Sequence, residues 1–179
     1  MNYKLIIFDV DGTLVPFVHR TTLWVESDIL LPGVLEWFER WASRYTIAIA
    51  TNQGGVGLRH WMETDGFGEP EKYPTEEAVR ARLERIVKQL PGRIDVNICF
   101  AYQSKKTGLW SPTPKGAVRL EWEPNSRKPA PGMLLRAMET AGVSPQETLM
   151  VGDDIDDDVR AAMKAKCEFM FAQEFFHHE

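Results

Sequence analysis

Short apolar runs that break off at a small polar or acidic residue constrain this chain more than any other feature. Leu5-Ile6-Ile7-Phe8 stops at Asp9, Thr46-Ile47-Ala48-Ile49-Ala50 stops at Thr51, and Thr148-Leu149-Met150-Val151 stops at Gly152-Asp153. Two further segments complete the series: Ile94 to Tyr102, which alternates through Ile94, Val96, Ile98 and Phe100, and Phe169-Met170-Phe171. Continuous apolar runs of this length suit strands covered on both faces, as in a parallel sheet flanked by helices. Helical periodicity falls between them. Pro32 is expected at a first helical position, followed by the stripe Val34, Leu35, Phe38, Trp41 and Ala42. Thr75-Glu76-Glu77 reads as a helix start, Val79, Leu83, Ile86 and Leu90 as its apolar face, and Pro91-Gly92 as its stop. A third helix is expected from Pro131 to Gly142, and Val159, Ala162 and Met163 mark a fourth. Strands alternating with helices predict an open α/β sheet. Gly54–Pro74 and Gln103–Ser126 read as long, turn-rich loops.

Length and composition narrow the classes. The 179 residues, 44% of them apolar, suit a single domain over residues 1–179. No apolar run approaches the roughly 18 residues of a membrane span, and Asp9 and Asp11 interrupt any N-terminal leader, so neither a membrane span nor a signal peptide is expected. Cys99 and Cys167 form no CxxC pair, which favours a reducing cytoplasm over a disulfide framework. The net charge of −5 argues against a surface wholly given to nucleic acid.

In an open parallel sheet, ligands bind beyond the carboxyl ends of the strands. Three strands end there in Asp9-Val10-Asp11-Gly12-Thr13, Thr51-Asn52-Gln53-Gly54-Gly55 and Gly152-Asp153-Asp154. Carboxylates two residues apart repel each other, and a hard divalent cation such as Mg²⁺ relieves that through oxygen ligands, with Asp153 completing the set. Each segment alone has a plainer reading. Asp9–Thr13 could be a turn, Thr51-Asn52 a helix cap, Asp153–Asp158 a solvated helix start and Lys128 an exposed lysine. Their occurrence together, each at a strand end or before a helix, outweighs those readings.

DVDGT at residues 9–13, TNQGG at 51–55, RKPAPGM at 127–133 and VGDDIDDD at 151–158 resemble the four motifs of the haloacid dehalogenase-like (HAD) superfamily, over residues 4 to about 172. The TNQ and RKPxPGM forms resemble the branch of histidinol-phosphate, heptose-bisphosphate and polynucleotide 3′-phosphatases. The resemblance implies a Rossmann-like three-layer fold around a mainly parallel five-stranded sheet. It also implies a phosphatase working through an aspartyl-phosphate, with Asp9 as nucleophile and Asp11 as acid and base. Thr51 and the Asn52 backbone N–H would hold phosphate oxygens, Lys128 would supply positive charge, and Arg127 would assist with substrate. Mg²⁺ would be held by Asp9, the Asp11 carbonyl and Asp153, with Asp154 through water and Asp158 as a further candidate. The fourth motif, GDxxxD or GDxxxxD, leaves Asp157 and Asp158 both open.

The loops bear on the substrate. Only 18 residues separate Thr13 from Pro32, enough for a flap, and 24 separate Tyr102 from Arg127, too few for an α/β cap. The site is therefore expected to be open. The segment from Gln103 to Lys128 carries Lys105, Lys106, Lys115, Arg119, Arg127 and Lys128 against Glu121 and Glu123, a positive approach for an anion if it faces the strand ends. The region resembling the Cys/His zinc loop of heptose-bisphosphate phosphatases has only Cys99 here, so no structural zinc is expected. Trp37 and Trp41 read as packing. Trp24, Trp61, Trp110 and Trp122 fall in or near loops, where filling a surface layer is favoured over stacking on a sugar or base. The expected function is Mg²⁺-dependent hydrolysis of a small phosphorylated metabolite. The alternatives are a polynucleotide 3′-phosphatase and a catalytically idle relative that binds a phospho-ligand or a protein; the oligomeric state is left open.

Overall fold

The structure, a computed structural model, describes residues 2–17 and 27–177. Its elements run β1 (Leu5–Phe8), α1 (Val34–Trp41), β2 (Thr46–Asn52), α2 (Gly54–Asp65), α3 (Glu76–Val87), β3 (Ile94–Cys99), α4 (Arg119–Trp122), α5 (Gly132–Ala141), β4 (Thr148–Gly152), α6 (Arg160–Ala165), β5 (Glu168–Phe171) and α7 (Ala172–His177). The five strands pair in parallel in the order β3-β2-β1-β4-β5. Leu5 lies level with both Thr46 and Thr148, so the central strand ends in step with both neighbours.

Alternation along the strands sorts the core into two layers. Ile6, Phe8, Ile47, Ile49, Leu149 and Val151 meet Val34 and Phe38 of α1 and Val79, Leu83 and Ile86 of α3. Leu5, Ile7, Ala48, Ala50 and Met150 face the other way, onto Met133, Leu134, Ala137 and Met138 of α5 and Ala161, Ala162 and Ala165 of α6. This is the expected Rossmann-like three-layer α/β fold. The strand order reverses between β1 and β4, and the crevice of such a sheet opens beyond the carboxyl ends of those two strands.

Several local expectations are corrected. Residues 54–65 form α2 rather than a loop, because the glycines that suggest a turn are there for close packing. A Cβ on Gly57 would lie 2.2 Å from the Phe100 carbonyl oxygen, so this helix sits against the end of β3 with no room for a side chain. α1 begins at Val34, two residues after Pro32, since Gly33 takes a left-handed φ of 82° at its N-cap. Thr75 caps α3 as expected, accepting from the Ala78 N–H at 3.1 Å, but the helix ends at Val87, before Pro91. Val159 closes a wide turn over Ile155–Val159 that precedes α6, and Met163 points outward, 71% exposed. α7 is a helix without a sequence expectation; its Phe175 and Phe176 pack around Phe8 and Trp37.

The tryptophans sort similarly. Trp37 joins the core, while Trp41 lies under the guanidinium groups of Arg40 and Arg44. Trp122 is buried between His60 and Phe100, Trp110 packs against the second core layer, and Trp61 donates to Asp65. Trp24 and half of the expected flap, residues 18–26, lie outside the described residues. Among the described residues no helix is long and apolar enough to cross a membrane.

Candidate active site

Parallel pairing in step places the three polar strand ends side by side. Asp9 follows β1, and its N–H donates to the Val151 carbonyl of β4 at 3.0 Å. The chain then coils tightly, with the Val10 carbonyl accepting from Leu14 at 2.9 Å and Val15 at 3.1 Å. Gly12 is required in that coil twice over. Its φ is 90°, and a Cβ there would lie 2.0 Å from Asp153 Oδ2.

Lys128 unites the site. It is 2% exposed, and its Nζ lies 2.6 Å from Asp9 Oδ1 and 2.6 Å from Asp158 Oδ1. Asp158, 1% exposed, uses its other oxygen to accept from the N–H groups of Asp153 and Asp154, each at 3.1 Å. The wide turn over Ile155–Val159 brings this about: the Asp154 carbonyl accepts from both Asp158 and Val159, adding a residue to the turn and swinging Asp158 inward. Asp157 instead accepts from Asn52 Nδ2 at 3.1 Å, so the two neighbouring acids do different things. Asp154 is exposed, and its carboxylate caps the turn by accepting from the Asp157 N–H at 2.7 Å.

Asn52 holds the Lys128 backbone with its side chain, and Arg127 donates to the Ala101 carbonyl at 3.1 Å beside Gly54. Thr51 is buried, its hydroxyl accepting from Gln53 Nε2 at 2.9 Å. The same Gln53 nitrogen donates to Asp11 Oδ2 at 2.9 Å. Asp11 faces Arg82 of α3, whose Nη2 lies 2.5 Å from its Oδ1. Gln53 and Arg82 had no assigned role in the sequence. Gln53 stands within the TNQGG motif, and Arg82 occupies an apolar-stripe position between Val79 and Leu83 of α3, where a charge is unexpected.

Of the basic residues from 103 to 128, Arg127 and Lys128 reach the site, Arg119 pairs with Glu123, and Lys105, Lys106 and Lys115 are exposed.

The electrostatics follow from crowding. Burial pushes the Asp9 carboxyl well above the usual range; Lys128 opposes this, and Asp158 and Asp11 add to it. Desolvation, then Asp158, raises Asp153 to about 6 against the pull of Lys128. Burial also raises Asp157, with Arg127, Lys128 and the Asn52 hydrogen bond opposing. For Lys128, burial disfavours the charge, but Asp9 and Asp158 outweigh it and the ammonium is held well above its ordinary value.

A divalent cation suits this donor set. Carboxylate oxygens of Asp9, Asp153 and Asp158 lie within 4.8 Å of one another, and among the described residues the Lys128 ammonium offsets them. The surplus negative charge and the all-oxygen donors match a hard ion such as Mg²⁺.

Comparison with known proteins gives a consistent picture. A family model described as HAD-hydrolase-like matches residues 125–173. The chain is 28% identical over 158 residues to the D-glycero-beta-D-manno-heptose-1,7-bisphosphate 7-phosphatase of Neisseria meningitidis serogroup A, covering 86% of this chain and 69% of that protein. It is 26% identical over 169 residues to the Pseudomonas aeruginosa enzyme of the same name, covering 94% and 80%. Among solved structures it resembles the D,D-heptose 1,7-bisphosphate phosphatase from B. bronchiseptica complexed with magnesium and phosphate, with TM-score 0.62, 25% identity and coverage of 93% and 78%.

Proposed function

We propose that this chain is a HAD-like phosphatase that hydrolyses the phosphate monoester of a small metabolite, with Mg²⁺, through a phosphoryl group carried on Asp9. The observation that carries this reading is the Lys128 ammonium, hydrogen-bonded to Asp9 just after β1 and to Asp158 in the turn that follows the adjacent β4. A buried nucleophile needs a fixed orientation and a positive charge where the phosphoryl group arrives, and Lys128 supplies both.

In this reading an Asp9 oxygen attacks phosphorus as the bond to the ester oxygen breaks. Asp11 gives its proton to that oxygen, then takes one from the water that attacks phosphorus and frees Asp9. Thr51, the Asn52 backbone, Arg127 and Lys128 hold the phosphate and substrate. Asp9, the Asp11 carbonyl and Asp153 would hold the cation, with Asp154 through water and Asp158 in the same cluster. When bound, Mg²⁺ offsets charge between an anionic nucleophile and an anionic phosphate. Residues 1–179 act in this account as one hydrolase domain of the cytoplasm.

The heptose-bisphosphate relatives favour a small sugar phosphate, while the single Cys99 in place of a Cys/His cluster sets this chain apart from them. A polynucleotide end needs a continuous basic groove, which the net charge of −5 disfavours. A pure binding protein has no use for a nucleophile and an acid together. The test is a phosphatase screen with Mg²⁺ or EDTA over sugar phosphates, nucleotides, histidinol phosphate and a 3′-phosphorylated oligonucleotide. EDTA-sensitive release from a small phosphate is expected; hydrolysis of none would point to a binding protein.

A further inference from the structure

Arg82 is 3% exposed and lies among the buried residues of α3, beside Val79, Leu83 and Ile86. A buried guanidinium is costly unless every N–H finds a partner. Here the partners come from two places. Nη2 donates to Asp11 Oδ1 at 2.5 Å and Nη1 to Asp11 Oδ2 at 3.4 Å, so the fork spans both oxygens of one carboxylate. Nε and Nη2 donate to the Ser27 carbonyl at 3.2 and 3.0 Å. Gln53 Nε2 approaches Asp11 Oδ2 from the end of β2, at 2.9 Å. Two side chains from different elements thus fix the plane of a carboxylate that stands on a coil rather than on a strand or helix.

A brace for Ser27 alone would need only the bonds to its carbonyl. Spanning both Asp11 oxygens adds an orientation that the coil Val10–Val15 does not impose. We propose that Arg82 is the positioning residue for the acid-base carboxylate, holding Asp11 where it protonates the leaving oxygen. The proposal rests on the role given to Asp11 above. The step served is the first half-reaction: the Asp9 oxygen–phosphorus bond forms, the phosphorus–ester oxygen bond breaks with its electron pair on the ester oxygen, and the Asp11 proton moves there. An alkoxide leaving group needs that proton, whereas p-nitrophenolate leaves without it. Misplacing Asp11 therefore penalises the two classes unequally, and a merely structural defect penalises both alike.

The experiment measures single-turnover phosphoryl transfer with p-nitrophenyl phosphate, phenyl phosphate and glycerol 2-phosphate, for the full chain with Mg²⁺ and for Arg82→Met, Arg82→Lys and Asp11→Asn. Thermal transitions check folding, and Arg82→Lys keeps the buried charge if Arg82→Met does not fold. General acid catalysis contributes on the order of 10²-fold or more, so Arg82→Met is expected to lose about that factor on glycerol 2-phosphate and only about fivefold on p-nitrophenyl phosphate. Phenyl phosphate is expected between the two, and Arg82→Lys should recover part of the alkyl rate. Asp11→Asn should show the same dependence on leaving group. An equal loss on all three substrates in the Arg82 variants, with the dependence present in Asp11→Asn, overturns the proposal and leaves the Asp11 role intact. Absence of the dependence in Asp11→Asn overturns the Asp11 role, and the proposal with it.

Discussion

Asn52 and Lys128 are joined by a reciprocal pair of hydrogen bonds: Asn52 Nδ2 donates to the Lys128 carbonyl and the Lys128 N–H donates to Asn52 Oδ1, each at 2.9 Å. The side chain at the end of β2 thereby fixes the backbone from which the buried ammonium reaches Asp9. Asn52→Leu removes both bonds, and the one to Asp157 as well. It is expected to cost about 2 kcal/mol or more through unpaired polar groups. Displacement of Lys128 by a fraction of an ångström to about 1 Å should lower kcat on the order of 10²-fold. Denaturant unfolding and steady-state phosphate release check the two effects; an unchanged kcat would mean Asn52 does not position Lys128.

The two adjacent acids at 157 and 158 should separate sharply. Asp158 gives one oxygen to the buried Lys128 ammonium and the other to the Asp153 and Asp154 N–H groups. In Asp158→Asn the NH₂ must face one of these sets of donors, and breaking such a buried arrangement costs about 3–5 kcal/mol. Asp157→Asn keeps a polar side chain facing Asn52 and should cost less than about 1 kcal/mol. Chemical denaturation of Asp157→Asn and Asp158→Asn decides this, and similar stabilities would refute the assignment.

Stability without metal should fall as pH rises. Asp9 is raised by burial and Asp153 is raised to about 6, both above the ordinary carboxylate value of about 3.9. Between those values the folded chain binds more protons than the unfolded one, so the slope of unfolding free energy against pH is negative there. The contribution is fully present below the ordinary carboxylate range and is lost as pH rises through the folded values. Melting temperatures in EDTA should therefore drop from about pH 5 to about pH 8, and added Mg²⁺ should reduce the drop. A metal-free melting temperature that rises over this range would contradict the account.

Gly57→Ala should destabilise the protein even though alanine favours an isolated helix by about 1 kcal/mol. The new Cβ would lie 2.2 Å from the Phe100 carbonyl oxygen and 2.9 Å from Ser111 Oγ, forcing α2 off the end of β3. A net loss of about 1–3 kcal/mol is expected from overpacking. Thermal or urea unfolding gives the sign directly, and stabilisation would show that the contact relaxes freely.

The contrast between β1 and α2 shows what was legible in the sequence. Strands buried on both faces have to be apolar throughout, so Leu5–Phe8 and Thr148–Val151 announce themselves, and so do the polar residues at their ends. α2 was hidden because Gly54, Gly55 and Gly57 read locally as a turn, while their purpose is contact with residues distant in sequence. Lys128 could be placed at the site from the resemblance of its motif, but the choice between Asp157 and Asp158 depended on the wide turn over Ile155–Val159, which counting cannot reveal. Arg82 left a trace, a charge on an apolar stripe, though its partner Asp11 lies 71 residues away.

The central claim is that Asp9 carries the phosphoryl group, and phosphate release by Asp9→Asn tests it most directly. The variant removes the nucleophile while leaving an oxygen to accept from Lys128, so it should fold, with a cooperative thermal transition. Loss of a catalytic nucleophile predicts a fall in kcat on the order of 10⁴-fold or more on the substrate hydrolysed best by the parent protein. A folded Asp9→Asn protein that keeps its turnover within about tenfold would contradict the account.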